Sequence, residues 1–289
     1  MTKHKDDLPG FPIIDMHFHS DWWGMPEVEE PLTGFKSQKD RQTYVTESFK
    51  YLHKYNIVKA ITDGKYTQEY QKIAPGKIIP AHGSLGAPID SLRKWFKSGK
   101  YLAMAEFEPQ YSGFSPSDKS LEPYYSLAEE LDVPLGIHVG LGPPGAPYLK
   151  GLEKYRMSLS NPLLLEDALV RHPNIRLYVM HGGWPFLDEM VGLLYAHPNV
   201  YIDIAVINWV LPRNEFHQYL RRIVEAGFGN RIMYGSDEMQ WPQSIQVSVE
   251  SILSASFLTK QQKQDILYNN AARFLRLSNE EIKQDKNHL

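Results

Sequence analysis

Cysteine is absent from the 289 residues. That excludes disulfides and thiolate metal sites, and it leaves the redox compartment open. No run of about 18 apolar residues occurs, so no spanning helix and no membrane partner are expected. A basic surplus is missing too: the formal net charge is −3, which offers no basic patch for nucleic acid. The polar start MTKHKDDLPG lacks the apolar segment of a secretory leader. A cytoplasmic protein with a small-molecule partner is the expectation.

What is present is ordinary globular material, 42% hydrophobic and 22% charged. Its length suits two modest domains or one α/β barrel of about 250 residues. Short apolar, β-branched runs alternate with helical patterns along almost the whole chain. They predict strands at 12–19, 58–62, 77–82, 101–107, 135–139, 176–181, 200–204 and 231–236. The stretch RHPNIRLYV from Arg171 is echoed by AHPNVYIDI from Ala196, 25 residues later. Each is a helix end, a proline stop and the next strand, which is one βα unit. Eight such units predict a single (β/α)8 TIM barrel over 11–277. Residues 1–10 read as a flexible N-terminus and 278–289 as a polar, loosely held tail.

Within IIDMHFHS, Asp15, His17 and His19 recur at every second position, so strand alternation sends all three the same way. Buried polar groups need partners. Further ionisable residues sit at or near other strand ends: Glu106, His138, His181 and Asp237. In a parallel barrel these ends share one rim, so the set should converge. Imidazoles and carboxylates are the ligands that zinc, manganese and iron accept when thiolate is absent. A divalent metal, zinc foremost, with manganese or iron as alternatives and one or two ions, would explain the set. Asp15, two residues deeper, is expected to orient a histidine.

The other histidines serve as controls. His172 and His197 fall at helix ends on the opposite rim and read as structural. His53 and His217 lie in helical patterns, and His4 and His288 in the tails. Residues facing the presumed mouth are candidate substrate-lining groups: His82, Trp22, Trp23, Trp184 and Trp241, with Arg156 as an anion contact.

The motifs DMHFH, GIHVG, MHGGWPF and YGSDEMQWP, with ILYNNAARFLRL near the end, resemble the amidohydrolase superfamily. Its amidohydrolase-related branch, which includes aminocarboxymuconate-semialdehyde decarboxylase-like enzymes, is the nearest in pattern. The resemblance runs from Phe11 to Leu277. It implies that His17, His19 and His138 are metal ligands and that Asp237 binds metal or accepts a proton from its water. It also implies that His181 is a second-metal ligand or a catalytic or substrate-contacting residue. Glu106 matches the bridging carboxylate of some binuclear members, a position that in others is a modified lysine or no ligand. The decarboxylase-like members mostly lack an acid at the Glu106 position.

The expected chemistry is metal-activated water attacking an amide, ester or lactone, with Asp237 and His181 as catalytic residues. A metal-dependent decarboxylase of an unsaturated or aromatic acid is the alternative. A barrel that only binds its ligand is a third reading. A homo-oligomer is compatible with such barrels, although no motif points to one.

Overall fold

The computed structural model describes residues 10–22, 24, 27–83 and 85–287. Its strands are β1 (Ile13–His19), β2 (Ile57–Asp63), β3 (Ile78–Pro80), β4 (Met104–Phe107), β5 (Leu135–His138), β6 (Leu177–Met180), β7 (Tyr201–Asp203) and β8 (Ile232–Met233). Each falls inside or within one residue of a predicted run, and most are shorter. The helices that separate or follow them are α1 (Arg41–Lys54), α2 (Thr67–Ile73), α3 (Ile89–Lys97), α4 (Glu122–Glu130), α5 (Glu166–Arg171), α6 (Leu187–Ala196), α7 (Ile207–Val210) and α8 (Arg213–Ile223). After β8 come α9 (Gln243–Leu253), α10 (Lys260–Gln264), α11 (Asn270–Phe274) and α12 (Asn279–Asn287).

Every ladder is parallel and pairs neighbours in chain order. β1-β2-β3 form one sheet and β4-β5-β6-β7-β8 the other. Two seams separate the sheets. At one, Ala81 bridges Ala103, and His82 N donates to Ala103 O at 3.0 Å. At the other, Phe18 bridges Glu238, and Met16 N donates to Tyr234 O at 2.9 Å. The sheets are therefore joined edge to edge by isolated bridges, where the barrel reading expects continuous ladders.

Parallel sheets covered by helices are buried on both faces, which explains the unbroken apolar runs. All seven residues of β1 are buried. Ile13 and Phe18 join the larger core with Tyr44, Leu52 and Ile57, while Ile14 and Met16 join a smaller one with Tyr178, Met180 and Phe274.

Residues 1–9, which include most of the expected flexible N-terminus, lie outside the described residues. The segment after 277 is not the loose tail its polarity suggests. It forms α12, anchored by Asp285, which is 3% exposed and accepts from Lys59 Nζ at 2.8 Å and Tyr268 Oη at 2.9 Å. Asp285→Ala would leave the largely covered Lys59 ammonium, 13% exposed, without its partner. It is expected to cost about 3 kcal/mol, read as a lower midpoint in urea unfolding.

Nearby Lys77 is pushed down to about 8 by burial and by the Lys59 charge, against the opposing pull of Asp285. The unfolded chain then binds more protons than the folded one between about pH 8 and the ordinary lysine range, so Lys77 adds stability as pH rises there. Lys77→Met should flatten that rise when unfolding is followed from pH 7.5 to 10.

Candidate metal centre

The strand ends bring six predicted residues together. His17 and His19 come from β1, Glu106 from β4 and His138 from β5, while His181 and Asp237 follow β6 and β8. His17 Nε2 lies 3.1 Å from His19 Nε2, and His138 Nδ1 lies 3.2 Å from His181 Nε2. Asp237 Oδ1 is 3.0 Å from His19 Nε2 and 3.6 Å from His17 Nε2.

Glu106 stands between the two imidazole pairs. Its Oε2 faces His17 and His19 at 3.6 and 3.8 Å; its Oε1 faces His181 at 3.3 Å and contacts His138 Nδ1. Three overlapping triads, His17/His181/Asp237, His17/His19/Glu106 and Glu106/His138/His181, each keep their ligand atoms within 4.8 Å.

Local backbone makes room for this crowding. A β-carbon on Gly235 would sit 2.9 Å from His17 Cβ, and one on Gly83 would sit 2.5 Å from the Glu106 carbonyl oxygen. His181 and Asp237 have positive φ, 58° and 50°, which turns the chain sharply where β6 and β8 end.

Each imidazole has its outer nitrogen facing an acceptor. His19 Nδ1 donates to Asp63 at 2.7 Å, and His17 Nδ1 faces Asp203 Oδ2 at 3.4 Å. His138 Nε2 donates to Leu141 O at 2.8 Å, and His181 Nδ1 to Ala205 O at 3.2 Å. With the outer nitrogens protonated, all four inner nitrogens are left as lone-pair donors aimed at one another and at the acids. Lone pairs in pairs at 3.1 and 3.2 Å repel unless a proton or a cation lies between them.

The electrostatics agree. Burial disfavours charge on His17, yet Asp237 and Glu106 raise it well above the ordinary imidazole range; His19 is raised likewise by Asp63 and Asp237. Burial would raise Glu106, but His138 and His17 hold it well below the usual carboxylate range. Burial is likewise overcome at Asp237 by His17, His19 and His181, leaving it at about 2. The centre demands positive charge, and its nitrogen and oxygen donors fit a divalent cation.

Not every predicted residue joins this set. Asp15 is fully buried, but its Oδ1 accepts from the backbone of His17 at 3.0 Å and of Ser236 at 2.9 Å. A short side chain deeper on β1 spends its reach tying β1 to the segment after β8 instead of orienting an imidazole ring. Asp63 and Asp203 face the His19 and His17 rings. Both end their strands, β2 and β7, as the ligands do, and that shared position is the signal that could have found them.

A cavity of about 1310 Å³ opens over the cluster, and His82, Trp184 and Trp241 line it. Trp22 instead packs on Tyr44, with ring centres 5.7 Å apart. Arg156 is exposed and donates to the carbonyls of Glu153 and Tyr155 in its own loop. Neither lines the cavity; loop residues have no periodicity from which orientation could be read. Trp23 lies outside the described residues. His172, assigned to structure, has its ring nitrogens 3.0 and 2.8 Å from the acceptor carboxylates of Glu129 and Glu122. Glu108, unremarked in the sequence, does line the cavity.

Comparison with known proteins places this geometry. Among curated proteins, fluG from Emericella nidulans is 24% identical over 160 residues, half of this chain and 18% of that protein. The chain thus matches less than a fifth of that relative's length.

Similar solved structures include an uncharacterised TIM-barrel protein from Bordetella bronchiseptica, with TM-score 0.68, 15% identity, and coverage of 94% of this chain and 100% of that one. A probable 2-pyrone-4,6-dicarboxylic acid hydrolase from Acinetobacter baumannii has TM-score 0.64, 13% identity, and coverage of 92% and 100%. The 5-carboxyvanillate decarboxylase of Sphingomonas paucimobilis has TM-score 0.60, 12% identity, and coverage of 93% and 100%. At these identities the structures establish the fold alone, and hydrolases and decarboxylases share it. The sequence carries the assignment further, because the amidohydrolase family model matches residues 14–277, from the first strand to beyond α11. By that match the chain belongs to the amidohydrolase family and is an enzyme.

Proposed function

We propose that this enzyme is a metal-dependent hydrolase of a small-molecule ester, lactone or amide, built on a closed (β/α)8 barrel and holding two divalent cations, zinc foremost. The observation that carries the reading is the position of Glu106. One of its oxygens is turned to His17 and His19 and the other to His138 and His181. His17, His19 and Asp237 would hold one cation and His138 with His181 the other, Glu106 serving both.

A bound divalent cation lowers the pKa of water from ~15.7 to about 7 and polarises a carbonyl oxygen. The chain's own residues supply the remainder. Asp237, ionised and beside the imidazoles, accepts a proton from the attacking water at a carboxylate oxygen. It returns that proton to the leaving oxygen or nitrogen as the acyl bond breaks. Asp63 and Asp203 keep the His19 and His17 rings turned inward throughout.

The decarboxylase reading uses the same ligands to grip a carboxylated substrate. Glu106 weighs against it, since the decarboxylase-like enzymes the sequence resembles mostly have no acid there. Elemental analysis of purified protein, followed by a screen of lactones, esters and amides, tests the proposal. Metal near two equivalents and hydrolysis are expected. Carbon dioxide release from aromatic or unsaturated acids, without hydrolysis, would replace it with the decarboxylase. Protein that holds no metal and gains neither activity with added zinc or manganese would be a binding barrel.

A further inference from the structure

Two acids that line the cavity over the cluster, Glu29 and Glu108, make no side-chain hydrogen bond among the described residues. Of these, Glu108 lies beside the cluster, two residues past Glu106. Asp63 pairs with His19, and Asp21 accepts the Lys65 backbone N–H at 2.8 Å. Glu30 accepts from Leu32 N, Thr33 N and the Thr33 hydroxyl. Glu108 has no such duty. It lies where β4 runs out and lines the cavity; burial and the Glu106 charge push it up to about 7, a cost that a cationic partner would offset.

Positive charge on the cavity wall is scarce. Lys65 is the sole lysine or arginine among the described lining residues. His82 also lines the cavity, but burial and the Lys100 charge favour its neutral form. The cavity walls also include aromatic residues, among them Tyr111, Tyr155, Trp184, Trp209 and Trp241.

We propose that Glu108 is a specificity residue that receives a protonated amine on the non-reacting end of a ring-bearing substrate. An ammonium group donates a charge-assisted hydrogen bond to the carboxylate, and the cavity's aromatic rings suit the ring of the substrate. A negative group at the same place would meet Glu108 directly, so discrimination is partly repulsive. The inference deepens the hydrolase reading and rests on it for the reacting end of the substrate.

The test compares two nearly isosteric esters, 4-(aminomethyl)phenyl acetate and 4-ethylphenyl acetate, with metal-loaded protein at pH 7.5. The cationic ester is expected to have a kcat/KM at least tenfold higher, chiefly through KM, and Glu108→Gln should remove that preference. Glu108→Asp should retain part of it. Calorimetric titration with 4-methylbenzylamine provides a readout without turnover, and Glu108→Gln should weaken binding at least tenfold.

Equal efficiency on both esters in the unaltered enzyme would overturn the role of Glu108 while leaving the hydrolase intact. Amine binding that Glu108→Gln leaves unchanged would do the same. Failure to hydrolyse either ester, with amine binding that depends on Glu108, would count against the hydrolase and support the amine site.

Discussion

Asp237→Asn is expected to lower kcat about 1000-fold, within the range usual for losing a general acid–base group. Asparagine keeps the shape but cannot take a proton. The Asp237 carboxylate is buried, kept ionised by the neighbouring imidazoles, and 3.0 Å from His19 Nε2, so it is placed beside the proposed water. Steady-state kinetics should be paired with elemental analysis, because Asp237 is also a proposed ligand. A fall in kcat that persists when metal is restored to the original stoichiometry identifies the proton-transfer role. Full activity in the metal-replete variant would sink it.

Glu106→Gln should show the second large effect, a fall from two bound cations towards one, with at least a hundredfold loss of hydrolysis. Gln would replace a shared negative charge by a neutral amide with one good acceptor atom. The imidazoles of His138 and His181, 3.2 Å apart, would then confront each other without the acid that contacts both. A charged acceptor contributes more than a neutral one to such contacts. Stoichiometry equal to that of the unaltered protein would mean that Glu106 only packs the rim. The single-metal and decarboxylase readings would then regain ground.

Much of this site was legible because parallel topology converts position along the chain into position in space. Once a residue is known to end a strand, its rim follows, and His17, His19, Glu106, His138, His181 and Asp237 were all found on that basis. The same rule reaches Asp63 and Asp203, which end β2 and β7. Asp15 shows where it stops. Alternation predicts its side of the strand correctly as buried, yet two residues of depth change its partner from a ring to backbone N–H groups. The rim loops resisted altogether. Arg156 folds back on its own carbonyls and Trp22 settles on Tyr44, outcomes set by irregular backbone.

The seam between β1 and β8 has a consequence for the order of events during synthesis. His19 and Asp237 touch across 218 residues of chain, and Phe18 bridges Glu238 beside them. Contacts that distant form late, after the intervening units have packed. A ribosome-tethered chain lacking its last strand can therefore display histidine pairs but not the completed coordination set. For the proposed cation site, selection would then depend on when β1 and β8 meet as well as on which atoms line it.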